Sequence, residues 1–226
     1  MKPYVKNNLT GQVELTVSRR LGDADILALS EVQDAVALAL EDDRFFVANS
    51  AEELAALPAR GELFGIFASG KLCAACALLR PGQGSGLSLD LELVDDVPCT
   101  AELESYFVLP EYRGNGLGGE LVRFAVRCAF EEMGARYIAA TVSPRNYASI
   151  VALMSEGGFR IRALKLKYGG KLRYIMLRAR DDSSVFTVYE RFNLSDIYGI
   201  SKLLTKKYEG MATFSDENGG FLWLAK

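Results

Sequence analysis

The chain has 226 residues, half of them hydrophobic and 24% charged, which suits one domain of generous size or one domain with an appendage. A net charge of -3 offers no electrostatic reason for nucleic-acid binding, which needs clustered Lys and Arg, but is compatible with a cationic substrate. The chain contains no histidine, which excludes Ser-His-Asp and Cys-His chemistry and every metal site that needs imidazole. Any general base must therefore be Asp, Glu, Tyr, Lys or a water, and no metal is expected.

No apolar run approaches the ~20 residues of a transmembrane helix. The start, Met1-Lys2-Pro3-Tyr4-Val5-Lys6-Asn7-Asn8, lacks the apolar stretch of a secretory signal, so a cytoplasmic protein with no membrane partner is expected. Four cysteines in a chain this long do not make a disulfide framework.

In chain order, residues 13–21 alternate as a strand does, and Asp23 or Asp25 can cap a helix carrying Ile26, Leu29, Val32, Val36 and Leu40. A short helix is predicted over residues 51–57, stopping before Pro58. Residues 62–68 and 72–79 read as antiparallel strands turning at Ser69-Gly70-Lys71. The glycine-rich stretch 81–86 is a loop, and 87–93 is either a strand or an irregular excursion. Residues 100–108 form a strand closed by Pro110, and 116–133 an amphipathic helix stopped by Gly134. Residues 137–142 are an apolar strand, and Asn146 begins another helix.

Residues 159–180 read as a hairpin about Gly169-Gly170. Matching the apolar positions Leu164, Leu166 and Tyr168 to Leu172, Tyr174 and Met176 requires an odd loop, hence a bulged or three-residue turn. Residues 181–184 look like a linker, and the tail reads as strand, helix over about 195–208, and a small hairpin turning at Asn218-Gly219-Gly220. The organisation expected is a main domain over 1–180 and an extension over 181–226 that could cover a pocket, extend a sheet or make a homodimer contact.

The informative stretch runs Glu102-Leu103-Glu104-Ser105-Tyr106-Phe107-Val108-Leu109-Pro110-Glu111-Tyr112-Arg113-Gly114-Asn115-Gly116-Leu117-Gly118-Gly119. A strand ends at a proline, and glycines then lead into a helix. Such glycines let backbone N–H groups point into one concavity, and the helix N-terminus adds roughly half a positive charge there. With Arg113 at the lip, the site suits a diphosphate. A P-loop is excluded because no Gly-Lys-Ser/Thr follows. The G-x-G-x-x-G pattern of dinucleotide-binding proteins is matched over residues 114–119, but without the surrounding βαβ series or the acidic residue that ends the next strand.

Arg113-Gly114-Asn115-Gly116-Leu117-Gly118 resembles the Arg/Gln-x-x-Gly-x-Gly/Ala signature of the GNAT superfamily of acetyl-CoA-dependent N-acyltransferases. Asn146-Tyr147-Ala148-Ser149-Ile150 with Gly157-Gly158-Phe159 resembles that family's second motif, and the resemblance extends over roughly residues 13–180. It implies a mixed, mostly antiparallel sheet flanked by helices, in which the pantetheine arm of acetyl-CoA fills a gap beside a splayed strand. It further implies backbone contacts from Phe107 and Val108, and a pyrophosphate on the amides of Arg113, Gly114, Asn115, Gly116, Leu117, Gly118 and Gly119. Asn146 would reach the pantetheine, with Ser149 one turn along. The acceptor implied is a small-molecule or peptide amine.

Glu104 stands where many members of that family carry a glutamate on this strand, and Glu102 shares its face beside Tyr106 by strand alternation. The pair could take the amine's proton or orient a cation; a solvated strand face is the bland alternative. The sequence departs from the family where a tyrosine general acid is usual, because Leu153 and Met154 stand there. Tyr147, Tyr168 or unassisted thiolate departure are the substitutes. A non-catalytic CoA-binding sensor and a dinucleotide oxidoreductase are the rival functions. Cys73-Ala74-Ala75-Cys76 reads as core rather than metal, and Lys165, Lys167, Lys171 and Arg173 as a solvated hairpin face, with a contact to the adenosine phosphate of CoA as the alternative.

Overall fold

The computed structural model describes residues 3–40, 45–217 and 219–226. A short strand, β1 (Tyr4–Lys6), precedes β2 (Val13–Leu21), the helices α1 (Ile26–Leu38) and α2 (Ala51–Arg60), and the hairpin β3 (Gly61–Ala68) and β4 (Lys71–Leu79). After an irregular excursion come β5 (Thr100–Val108), α3 (Leu117–Arg127), β6 (Tyr137–Val142) and α4 (Tyr147–Gly157). The hairpin β7 (Arg160–Lys167) and β8 (Lys171–Ala179) follows, and the tail supplies β9 (Tyr189–Asn193), α5 (Ile197–Leu204), β10 (Glu209–Asp216) and β11 (Gly219–Ala225).

All the strands join one sheet in the order β1-β2-β3-β4-β5-β6-β8-β7-β10-β11-β9. Its pairings are antiparallel except that of β5 with β6. This is the mixed, mostly antiparallel sheet with flanking helices that the sequence led us to expect. Small residues make the centre possible. Ala74, Ala75, Cys76 and Ala77 of β4 are buried, so elements can close on the strand from both faces. Cys73 and Cys76 are core residues; burial pushes the Cys73 thiol up to about 12 and that of Cys76 further still. Among the described residues no group of His, Cys, Asp or Glu could hold a metal, and no helix is long and apolar enough to cross a membrane.

Several expectations are sharpened. The helix expected to stop before Pro58 runs through it to Arg60, because a proline in the last turn forfeits one donor and the helix ends at once. Ser50 and Glu53 close its start as a reciprocal capping box, and Leu54 and Leu57 anchor its apolar side. Residues 87–93 are the irregular excursion, with 3₁₀ turns at Leu89–Leu91 and Val94–Cys99. The β7–β8 hairpin has the three-residue turn: Lys167 pairs with Lys171, and Tyr168, Gly169 and Gly170 all have positive φ. The tail extends the sheet, meeting β7 at Gly210 opposite Ile161, and its helix is shorter than expected. The last turn includes Asn218, which lies outside the described residues. β1 had no signal in the sequence.

Gly158 ends α4 in the left-handed region at φ +65°, and its N–H donates to Met154 O at 3.0 Å. An alanine there is predicted to lower stability by roughly 1–2 kcal/mol, since it adds left-handed strain and displaces Arg178 from Gly157 O. A urea unfolding midpoint equal to the parent's would contradict this account of the helix end.

Candidate active site

The site begins with a strand that cannot keep two neighbours. β5 pairs with β6 from Thr100 opposite Tyr137 to Leu103 opposite Ala140, and there the pairing stops. On its other side β5 stays with β4, but Ala77 opposes Ser105 while Leu78 opposes Leu103, so Glu104 is the extra residue of a β-bulge. A bulge bends its strand and increases twist, and here it turns Ser105–Val108 away from β6. A gap opens between them. Leu109 N–H donates to Cys73 O at 2.9 Å, and alternation then puts the backbone of Val108 and Tyr106 on the open edge. Phe107 instead turns its backbone to β4, and its buried ring meets Phe46 edge-on at 6.0 Å. The backbone contact expected of Phe107 is therefore corrected, since its N–H and C=O are directed to β4.

At the far end of the gap stands the N-terminus of α3. Gly114 and Gly116 both have φ +81°, the backbone shape that lets the loop curl into the helix. Glu120 N–H, bonded to Gly116 O, begins the helical ladder, so the amides of Leu117, Gly118 and Gly119 precede it. Gly118 faces Tyr106 and Val108, where a Cβ would make ordinary contacts at 3.8 and 4.0 Å. Gly119 answers a different need. A Cβ there would come 2.8 Å from Glu156 Cγ, so this glycine allows α3 to pack on α4, where Arg123 and Glu156 form an ion pair.

The loop is braced from outside. Asn115 pairs with the backbone of β1, accepting from Lys6 N–H and donating to Lys6 O, both at 2.9 Å. Its amide also donates to Tyr112 O. This side chain therefore faces β1 rather than a ligand. Asn8 donates to Glu111 O through its backbone and to Arg113 O through its side chain, while Tyr112 OH donates to the Glu14 carboxylate. Arg113 is exposed, and its Nε lies 3.4 Å from Val108 O at the open edge.

Across the gap, Asn146 caps α4 by accepting from Ser149 N–H at 3.2 Å, which leaves its amide nitrogen available as a donor. Ser149 O accepts from Tyr106 OH at 3.1 Å, a bond that ties β5 to α4. Tyr106 was singled out in the sequence only as a neighbour of the carboxylates.

The two carboxylates part company. Glu102 is 3% exposed, and its oxygens accept from Ser85 N–H and Leu87 N–H, both at 2.7 Å, and from Ser85 OH at 2.9 Å. It holds the 85–87 loop against the sheet, so of the expected pair Glu102 has its oxygens taken up within the protein. Glu104 stays exposed at the vertex of the gap. Desolvation by the surrounding walls, then the Glu102 charge, raises its pKa above the ordinary 4.5; Glu53 adds to the rise and Arg60 opposes it. Tyr147 and Tyr168 are both on the surface, and Leu153 is wholly buried inside α4. Tyr168 OH shares a hydrogen bond with Thr141 Oγ1 at 3.1 Å. The expected solvated face of the β7–β8 hairpin is corrected at Arg173, which is 3% exposed beneath Tyr168.

The model of the Acetyltransferase (GNAT) family matches residues 30–154, more than half of the chain. Three solved structures share the fold. The yncA protein of Salmonella typhimurium, solved with its cofactor acetyl-CoA, is 22% identical with a TM-score of 0.56; the match covers 75% of this chain and 96% of that one. The aminoglycoside acetyltransferase AAC(6')-Ib, in complex with coenzyme A and kanamycin, is 17% identical at 0.54, covering 73% and 95%. The ribosomal-protein-S5-alanine acetyltransferase of Vibrio fischeri is 15% identical at 0.57, covering 75% and 96%. No curated protein sequence matches.

Replacing Glu102 by glutamine sets an amide NH₂ against a backbone donor at Ser85 or Leu87. The predicted result is faster amide exchange at both residues and a stability loss of about 1–3 kcal/mol. Parent-like exchange would show that the loop is held by something else.

Proposed function

The chain belongs to the Acetyltransferase (GNAT) family, and from that premise we propose that it transfers an acetyl group from acetyl-CoA to a primary amine by direct attack. One observation carries the reading: β5 leaves β6 at the Glu104 bulge and opens a gap that runs to the glycine-led start of α3. An extended pantetheine arm would lie in the gap, where Val108 and Tyr106 could offer it strand-like hydrogen bonds and Asn146 a donor from the opposite wall. The diphosphate would meet the amides of Leu117, Gly118 and Gly119 and the N-terminal dipole of α3, with Arg113 at the lip. Gly114 and Asn115 shape that loop more than they touch the ligand.

In the proposed reaction Glu104, directly or through a water, takes a proton from the ammonium group of the acceptor. The freed nitrogen attacks the thioester carbon, polarised by a backbone N–H on β5, and a C–N bond forms. The C–S bond then breaks, and the thiolate takes the second proton, which the nitrogen sheds as the amide forms, to leave as the free thiol of CoA. A thiol pKa of about 8.5 makes the thiolate a competent leaving group, which suits a site whose α4 carries buried Leu153 in place of a tyrosine. The Glu104 carboxylate, with Glu102 and Glu53 near it and Arg60 partly opposing them, offers a local negative charge to the acceptor's ammonium group. A cytoplasmic setting, a catalytic unit over 1–180 and a tail over 181–226 that lengthens the sheet complete the proposal.

Incubation with acetyl-CoA and mixed primary amines should release free thiol; CoA binding without release across a broad panel would favour the sensor reading. Glu104→Gln should keep CoA affinity and lower kcat by roughly 10²–10⁴. The base works ionised, so kcat/KM of the parent should fall with decreasing pH through the raised Glu104 pKa. That acid limb should lie above the range of an ordinary glutamate and vanish in the variant. Gly116→Glu should abolish CoA binding, since it puts a side chain at φ +81° and an anion where the diphosphate sits; unchanged affinity would refute the loop assignment.

A further inference from the structure

Arg173 is a charged side chain with an unfilled bond in a buried place. Its residue is 3% exposed, its Nη1 donates to the adjacent Leu172 O at 2.8 Å, and its Nη2 is buried with no hydrogen-bond partner. No carboxylate pairs with it among the described residues; its aromatic neighbour is Tyr168, whose ring centre lies 5.7 Å from the guanidinium carbon. Burial lowers the guanidinium pKa, yet arginine stays charged. Leaving such a donor unsatisfied is expensive in free energy, and a fold tolerates it where something else completes the bond.

Its position says what that could be. Arg173, Ile175 and Leu177 alternate onto one face of β8, and Ile175 and Leu177 pack with Leu87 and Ala139. Tyr174 and Met176 share the opposite face and pack in the core that includes α3 and α4 residues. Glu102 lies opposite Ala139 in the β5–β6 register, so Arg173 is on the Glu102 face, away from α3 and the proposed diphosphate site. Tyr168 links the two charges. It covers Arg173, bonds Thr141 on the β6 wall of the gap, and feels the carboxylates of Glu104 and Glu102. Two neighbouring cations of β7 do not replace Arg173: Lys165 is exposed, and Lys167 is paired with Asp90 at 2.7 Å.

We propose that the acceptor amine carries a carboxylate, and that Arg173 binds this carboxylate while the amine faces Glu104. The acceptor class is thus a zwitterionic amino acid or a close analogue. Tyr168, at the left-handed start of the three-residue turn, is the lid that covers the arginine until the acceptor arrives. Arginine suits the task because its planar fork meets a carboxylate through two parallel hydrogen bonds. This inference rests on the transferase reading and adds the acceptor class to it.

The test compares transfer from acetyl-CoA to the common amino acids with transfer to their α-carboxamides, which keep the amine and lose the charge. The protein should favour the acids by roughly 10²-fold or more in kcat/KM, as expected where a buried donor is otherwise left unpaired. Arg173→Gln should erase that preference through a higher KM for the acids, with the KM for acetyl-CoA unmoved, and Arg173→Lys should restore part of it. Propionate and succinate, which have no amine, should compete with the acceptor for the parent enzyme and not for Arg173→Gln. Amides turned over as well as acids, or an acid preference that survives Arg173→Gln, would overturn the inference alone. No thiol release with any amine would overturn it together with the transferase reading. If the variants fail to fold, the acid-to-amide ratio of the parent protein decides.

Discussion

One extra residue in one strand sets up the rest of the molecule. Glu104 has no partner on β4, and the β5–β6 pairing ends one residue before it. A regular ladder on both sides of β5 would have closed the sheet and left nothing between the strands. The bulge instead leaves the backbone edge of Tyr106 and Val108 without a strand partner, with Arg113 Nε on Val108 O, and this is the edge on which the proposed pantetheine arm would pair. It also makes Glu104 the residue at the vertex. The position of the proposed base and the shape of the cleft therefore follow from a single irregularity.

Holding such a cleft open requires support from outside it, and the fold supplies this with side chains that imitate backbone. Asn115 gives β1 an acceptor and a donor, as a neighbouring strand would, and so fixes the loop that enters α3. Glu102 does the same for the 85–87 segment, using both oxygens on three donors. Buried Glu102 and buried Arg173 make an instructive contrast. The carboxylate is satisfied within the protein and acts as a clamp; the guanidinium is not, and that difference points to a ligand for the second and none for the first. Glu104 has no side-chain hydrogen bond among the described residues, and desolvation and the Glu102 charge outweigh Arg60 to raise its pKa.

The family match ends at residue 154, within α4, and beyond the β7–β8 hairpin the sheet continues through β10, β11 and β9. The join is narrow, Gly210 opposite Ile161, where a Cβ on the glycine would lie 2.9 Å from the Ile161 Cβ. Around it Arg160 and Arg162 bond the Glu209 carboxylate. The tail thus covers the outer edge of β7 near its start, an edge that would otherwise offer unpaired backbone.

By itself the sequence determined what is local: the helices from their periodicity and caps, the glycine-led entry to α3 from four closely spaced glycines, and the odd turn of the β7–β8 hairpin from the mismatch of its apolar faces. The lack of histidine already confined the base to a short set of residue types. What only the tertiary structure decided depends on partners distant in the chain. Strand alternation put Glu102 and Glu104 on one face as equals, because a bulge is a property of two strands and one sequence does not reveal the count on the other. Arg173 read as a solvated cation because its burial comes from Tyr168 folding back over the turn and from the loop that packs along the same face. Pattern can say that a charge lies in a strand; only packing says whether water can reach it.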